Sequence, residues 1–173
     1  MSGNTYLTRD TTTNLPKEVI ATQTSSGATN AGQIPALNAS GVLDSSLLPA
    51  GTGQATAVLP ATEAIASAAL VNVWSSAGTS SVRNANATDA TKQADGFVLA
   101  AAASGANATI YFAGEIVSGL SGLTPGGYCY LSTTSGAITQ VAPSGSGNLV
   151  QCVGKALSAT TMVFQPMIGI IHA

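Results

Sequence analysis

The chain has 173 residues and a formal net charge of −2 at pH 7, and only 7% of its residues are charged. Ordinary soluble domains carry about 25% charged residues, so this chain has few charges with which to keep a monomer soluble, and we expect burial in an assembly. The charge balance also excludes the basic patch that is typical of nucleic-acid-binding proteins.

The first 22 residues predict an extended arm that becomes ordered on a partner. They contain the charged residues Arg9, Asp10, Lys17 and Glu18 and few apolar side chains. The three threonines at residues 11–13 disfavour a helix, because β-branched side chains lose rotamer freedom there. Nothing in this stretch supplies a core of its own.

An ordered segment is expected at residues 33–50, which read QIPALNASGVLDSSLLPA and follow a flexible link at 23–32. Asn38 to Gly41 predicts a turn, since Asn and Gly tolerate positive φ. Asp44 predicts the cap of one short helical turn that Pro49 would end. Because the surrounding Thr/Ser/Asn/Gly-rich arm has too little apolar surface to fold alone, another molecule is expected to supply the surface.

A second link is expected at residues 51–60, with a domain boundary at Pro60, so that 1–60 form the arm and 61–173 one β-domain. Strand-like runs lie at residues 64–74, 80–83, 96–102, 109–117, 128–132, 137–141, 149–157 and 161–167, with a last candidate at 168–171. Only residues 84–95 leave room for a short helix. Short strands separated by Gly-containing turns favour a small antiparallel β-barrel or sandwich. The predicted fold class is therefore mainly β: an extended N-terminal arm followed by that domain.

Two cysteines and two aromatic residues invite a functional interpretation. Cys129 and Cys152 are interpreted as small buried hydrophobic side chains, and a disulfide across neighbouring strands is the alternative. Trp74 and Tyr111 are interpreted as core residues because both lie in alternating apolar runs, and a sugar-binding platform is the alternative.

The sequence offers no motif for catalysis, a cofactor or a metal ion. The single histidine, His172, is expected to be solvated, and no Cys/His cluster has metal-ligand spacing. Asp89, Asp95 and Glu115 are the candidates for a glycosidase-type acid pair, and we interpret them as turn and strand-edge residues. No apolar run reaches the roughly 18 residues of a membrane-spanning helix, and the N-terminus is too polar for a secretory signal peptide. We expect a non-enzyme without cofactor or metal, made in a cytoplasm and without a membrane partner.

Two stretches carry a resemblance to known proteins. Residues 33–50 closely resemble the element aGkIpaLnasGkLdaSfLPa, found near the N-terminus of many tailed-phage virion proteins, among them capsid decoration proteins, head fibres and tail fibres. The C-terminal domain resembles a recurring phage β-domain. The resemblance lies in four segments: ADGFV at 94–98, GLTPG at 122–126, YCYL at 128–131 and QCVGKALS at 151–158. Both cysteines stand where that pattern usually has an apolar or small residue.

The resemblance implies a structural virion protein: a capsid decoration, or cement, protein that binds the outer capsid surface and neighbouring copies and stabilises the head. It implies the major capsid protein and the chain itself as partners, with a homotrimer expected before a dimer, and a location on the virion after synthesis in the host cytoplasm. A head-fibre or tail-fibre attachment or receptor-binding module stays open as the alternative, because fibres share the element. The expected capsid and inter-subunit contacts are the apolar residues of the arm: Tyr6, Leu7, Leu15, Ile34, Leu37, Leu43, Leu47 and Leu48. Local packing within the chain is the alternative for each.

Overall fold

The computed structural model describes residues 4–48 and 54–173, and the chain divides into two compact units, residues 1–53 and 54–173. Strands dominate, and the described residues contain no α-helix, only two short 3-10 helices. The prediction of a mainly β chain is confirmed. Pro60 was predicted as the boundary, but it ends a strand of the second unit, so the division falls several residues earlier.

The first unit begins with a β-hairpin. Strand β1 (Thr5–Arg9) pairs antiparallel with β2 (Pro16–Ile20) along the full length of both strands. In the loop between them, the Asp10 carboxylate accepts hydrogen bonds from the backbone N–H groups of Thr12 and Thr13, each at 2.9 Å. The predicted extended arm over residues 1–22 is thus corrected to a hairpin, because Asp10 supplies the turn chemistry that a short loop needs.

The rest of the first unit consists of two 3-10 helices, Ala28–Asn30 and Ser45–Leu47, joined by irregular backbone. The segment 23–32, predicted as a flexible link, therefore contains a short helix. None of residues 4–48 is buried. This unit has no hydrophobic core among its described residues, which agrees with the expectation that the arm lacks one.

The second unit is built on two five-stranded antiparallel sheets. The first sheet contains β3 (Thr56–Pro60), β4 (Leu70–Ser76), β5 (Thr79–Asn84), β6 (Gly96–Val98) and β7 (Asn107–Tyr111), in the order β3-β7-β6-β4-β5. Its two edges approach each other, since Ala61 forms a parallel bridge with Val82 and the Thr62 N–H donates to the Val82 carbonyl at 2.9 Å. The sheet is therefore partly barrel-like, and it encloses a small core that includes Ile65 and Ile110.

The second sheet contains β8 (Ile116–Val117), β9 (Tyr128–Leu131), β10 (Ile138–Thr139), β12 (Cys152–Ala156) and β13 (Met162–Phe164), in the order β10-β9-β12-β13-β8. A separate two-stranded sheet pairs β11 (Leu149–Val150) with β14 (Ile170–Ile171). A bulge in β12 between Cys152 and Gly154 shifts its register against β9. The bulge lets Val153 and Gly154 both lie buried in one strand.

The main core lies between the two large sheets. Phe97 of the first sheet stacks on Tyr111 at a centroid distance of 5.4 Å and meets Phe164 of the second sheet edge-on at 5.5 Å. The prediction of a core role for Tyr111 is confirmed. The same prediction for Trp74 is wrong: its half-buried ring lies outside both core clusters.

Several predicted strand runs are corrected in their bounds; the run at 96–102, for example, forms a strand only at Gly96–Val98. The run at 64–74 forms a strand only from Leu70 onward. The run at 109–117 is interrupted before Ile116, where Gly114 has φ 97°, a conformation that only glycine adopts without strain.

Two further corrections concern a link and a helix. Residues 51–60, predicted as a link, contain β3, which pairs with β7 through all five of its residues. Pro60 is tolerated there because β3 is a sheet edge. Residues 84–95, the one predicted place for a helix, form turns instead, in which the Asn86 and Asp89 side chains accept hydrogen bonds from residues two positions later.

Candidate interaction surfaces

The segment 33–48, named here the arm motif, is organised by a turn at Asn38. The Asn38 Oδ1 accepts hydrogen bonds from the backbone N–H groups of Ser40 (2.9 Å) and Val42 (3.2 Å), and Gly41 takes φ 74°. The Gly41 N–H donates to the Asn38 carbonyl at 2.9 Å. The predicted turn at residues 38–41 is confirmed.

Asp44 caps the short helix Ser45–Leu47. Its Oδ1 accepts from the Ser46 hydroxyl at 2.6 Å and from the Ser46 N–H at 2.9 Å. These two hydrogen bonds, the hydroxyl first, hold the pKa of the Asp44 carboxyl below its usual value. The predicted cap is confirmed, while the predicted stop at Pro49 lies outside the described residues.

The arm motif is tied to the chain that precedes it by polar contacts. The Thr22 N–H donates to the Ile34 carbonyl at 2.9 Å, and the Ala36 N–H donates back to the Thr22 carbonyl at 2.7 Å. The Gln23 side-chain amide donates to the Leu37 carbonyl at 2.9 Å. Backbone and polar side chains thus hold this segment, without buried apolar side chains.

Because polar hydrogen bonds hold the backbone of the arm motif, its apolar side chains are free to face solvent. The exposed ones are Ile34 (50%), Leu37 (56%), Val42 (55%), Leu43 (39%) and Leu48 (40%), and Leu47 is half-buried. An ordered segment that presents this many large apolar groups to solvent is typical of a docking surface. The sequence pattern places Val42 with Ile34, Leu37 and Leu43 as an apolar contact residue of this segment, but Val42 was not among the predicted capsid and inter-subunit contacts.

The other three predicted contact residues lie in the hairpin region. Tyr6 is half-buried opposite Val19, whereas Leu7 is 60% exposed in β1 and Leu15 is 64% exposed in the loop. Ile20, at the end of β2, is 69% exposed and was not among the predicted contacts. The predicted contact residues thus fall into two groups, one in the hairpin and one in the arm motif.

In the second unit, the outer face of the second sheet carries a cross-strand row of partly exposed side chains. Tyr128 pairs with Lys155, Lys155 with Val163, and Val163 with Ile116. Tyr128 is 60% and Ile116 53% exposed, and the Lys155 ammonium lies 5.5 Å from the centre of the Tyr128 ring. A cation–π contact of this kind covers part of the aromatic face with a charge.

A polar network lies on the first sheet, on the face of β4 that also carries Leu70 of the main core. The Arg83 guanidinium lies over the Trp74 ring at 4.6 Å, and its Nε donates to the Asn72 Oδ1 at 2.9 Å. Asn72 in turn donates to the Asp95 carboxylate at 2.9 Å. Because Arg83 covers the indole ring, that face of Trp74 is not open for stacking on a sugar.

The three acidic candidates have structural partners. Besides the bond from Asn72, Asp95 accepts from the Val73 N–H at 2.8 Å. Asp89 accepts from the Thr91 hydroxyl and N–H, which lower its pKa. Glu115 accepts from the Gln54 amide at 3.0 Å.

Both cysteines are free thiols on the neighbouring strands β9 and β12. Cys129 lies in the main core, where burial raises the pKa of its thiol. Cys152 pairs across the strands with Tyr130, so its side chain lies on the outer face of the sheet with the tyrosine. The interpretation as a buried hydrophobic group is confirmed for Cys129, whereas Cys152 is only half-buried.

Chemical features elsewhere in the described residues are sparse. A cavity of about 350 Å³, between loops at 66–69 and 119–123, has no charged side chain in its lining.

Within residues 4–48 and 54–173, no group of three or more His, Cys, Asp and Glu side chains could hold a metal ion. His172 is exposed beside the C-terminal residue. A search of the same residues finds no helix with the length and apolar character needed to cross a membrane.

Comparison with known proteins finds no protein-family model and no curated protein that matches this chain.

Proposed function

We propose that this chain is a structural virion protein, a capsid decoration protein that binds the outer surface of a phage head and neighbouring copies of itself. The observation that carries the proposal is the arm motif: an ordered segment, held by polar bonds, with exposed Ile34, Leu37, Val42 and Leu43, in a stretch where none of residues 4–48 is buried. The resemblance of residues 33–50 to an element of phage virion proteins supports the same proposal.

The physical basis of binding is burial of these exposed side chains. Fully burying one leucine or isoleucine side chain is worth about 1.5–3 kcal/mol, so several together offset the entropy lost when the arm docks. The internal bonds of the turn and the cap reduce that entropy loss, because they already fix much of the backbone.

Multivalency can turn weak contacts of single arms into strong binding of the whole assembly. Arms joined to a self-associating β-domain act at high effective concentration once the first arm has docked. The head is stabilised because each assembly ties several capsid subunits together. In this account the arm motif and the hairpin, with Leu7 and Leu15, contact the major capsid protein.

The test is binding of the purified full chain to heads stripped of it, measured by co-sedimentation. Leu37→Asp is expected to weaken binding at least about tenfold, because it places a charge in an apolar contact. Leu157→Asp is the matched control: Leu157 is 54% exposed, against 56% for Leu37, and lies in the second unit. Equal binding of both variants and the unaltered chain would contradict the proposal.

A head-fibre or receptor-binding module remains the alternative because fibres share the arm element. A fibre protein would bind heads at a few sites only and would be required for adsorption to cells. Counting the bound copies at saturation in the same experiment separates the two functions.

A further inference from the structure

The C-terminal apolar segment, residues 167–171, is a dense group of exposed large apolar side chains. Met167 is 64%, Ile168 88%, Ile170 73% and Ile171 60% exposed, with only Gly169 between them. In the interior of a β-domain such a run would be a core strand. Here its side chains lie outside both core clusters.

Hydrogen bonds fix this segment on the domain. The Met167 N–H donates to the Cys152 carbonyl at 2.9 Å, and the buried Gln151 amide donates to the Met167 carbonyl at 3.0 Å. Further along, the His172 N–H donates to the Asn148 carbonyl at 2.8 Å. The backbone is therefore held in place while the side chains remain in solvent.

Within this segment the Gly169 N–H donates to the Gln93 side chain at 3.4 Å, whereas the strand β14 (Ile170–Ile171) has one edge open for pairing. Strand β14 pairs with β11, and no other strand in residues 54–173 lies along its second edge. Edge strands are usually protected by a charged residue, a proline or a bulge. Residues 167–173 contain no Asp, Glu, Lys, Arg or proline, so this edge lacks the first two of these protections.

We propose that the C-terminal apolar segment is the contact by which the chain associates with a second copy of itself. The choice of occupant follows from charge, because residues 156–173 contain no Asp, Glu, Lys or Arg. A segment without charged side chains can lie against its own copy without repulsion, and an unpaired strand edge can pair with the same edge of a second copy. Asp95, which lines a pocket with Met167 and Ile168, already accepts hydrogen bonds from Asn72 and from the Val73 N–H. The row of Tyr128, Val163 and Ile116 is less suited to self-contact, since it has Lys155 at its centre.

The inference rests on the self-association contained in the proposed function and assigns it to a surface. It also separates two tasks within the chain. The C-terminal apolar segment joins copies, and the arm motif contacts the capsid.

The experiment is sedimentation velocity of the full chain and two variants over a range of concentrations. Ile168→Asp is expected to weaken self-association by about 100-fold or more, because each contact would bury an unpaired charge. Leu157→Asp adds the same charge at another exposed apolar position, beyond the far end of β12, and should leave the association unchanged. Near-ultraviolet circular dichroism shows whether each variant keeps the fold, and Ile168→Ser provides a milder change if the aspartate variant does not.

A monomeric unaltered chain, or a folded Ile168 variant that associates as well as the control, would overturn the inference. Binding to stripped heads, measured on the same samples, separates this outcome from failure of the proposed function. An Ile168→Asp monomer that still binds heads weakly through its arm supports both. If the chain associates through this segment but never binds heads, the self-association contact is supported and the capsid role is contradicted.

Discussion

Asn38 and Val42 are joined in both directions across the turn of the arm motif. The Asn38 N–H donates to the Val42 carbonyl at 2.9 Å, and the Val42 N–H donates to the Asn38 Oδ1 at 3.2 Å. The pair holds the apolar residues before the turn at a fixed distance from those after it. Preorganisation of this kind lowers the entropy cost of docking.

Replacing Asn38 should therefore weaken capsid binding without unfolding the second unit. Asn38→Ala removes the acceptor for two backbone N–H groups, worth about 0.5–1.5 kcal/mol each, so affinity for stripped heads should fall about tenfold. Asn38→Asp keeps the acceptor oxygen and should bind almost normally. Equal affinities for the alanine variant and the unaltered chain would show that the turn plays no part in binding.

The Asp44 cap should respond to acid in a defined direction. Its pKa is lowered from the ordinary 3.8 by the Ser46 hydroxyl and N–H, so the cap is fully formed above that value and is lost as pH falls through the lowered pKa. The Ser46 amide resonance, followed by NMR from pH 6 downward, should change with a midpoint below 3.8. In Asp44→Asn that transition should vanish, and a midpoint at or above the ordinary value would contradict the assignment.

Replacing Gly154 of the second sheet should be strongly destabilising. Its φ is 151°, and a Cβ there would collide with the Val163 carbonyl oxygen on the neighbouring strand. Gly154→Ala should lower the free energy of unfolding by about 3 kcal/mol or more, measured by urea denaturation. Gly105→Ala, at φ 82° in open space, isolates the backbone strain and should cost only about 1–2 kcal/mol. Similar losses in both variants would contradict the steric argument.

The two thiols should differ in reactivity. Cys152 is half-buried on the outer face of the sheet, whereas Cys129 is fully buried and its pKa is raised by burial. A chromogenic disulfide reagent should titrate one thiol per chain in the native protein and two after denaturation. Cys152→Ser should remove the native reaction, and Cys129→Ser should leave it. If both thiols react in the native protein, Cys129 is accessible to solvent, which would contradict its place in the main core.

Local turn chemistry made parts of the fold predictable from sequence. The turn at Asn38 and the cap at Asp44 depend on neighbouring residues, and the structure forms both as predicted. Other features depend on distant partners. Strand β3 is recognisable only through its pairing with β7. Trp74 lies outside both core clusters, and the side chain over its ring is Arg83 of the neighbouring strand β5.

The candidate surfaces were predictable to a smaller extent. The apolar residues of the arm motif could be identified because their polar surroundings supply no core. The run at 167–171 has the composition of an interior strand, and its sequence does not say which side of β11 it joins or whether anything covers it. Exposure at Ile168 and Ile170 is a property of the folded domain, so it became visible only with the structure.

The most direct test of the central claim is the number of copies of this chain in purified virions relative to the major capsid protein, together with the temperature at which stripped particles release their genome. We predict a near-stoichiometric ratio, and earlier genome release on mild heating once the chain has been removed. A handful of copies per particle, with stripped particles that stay heat-stable but fail to adsorb to cells, would contradict a decoration role and indicate a fibre or receptor-binding module.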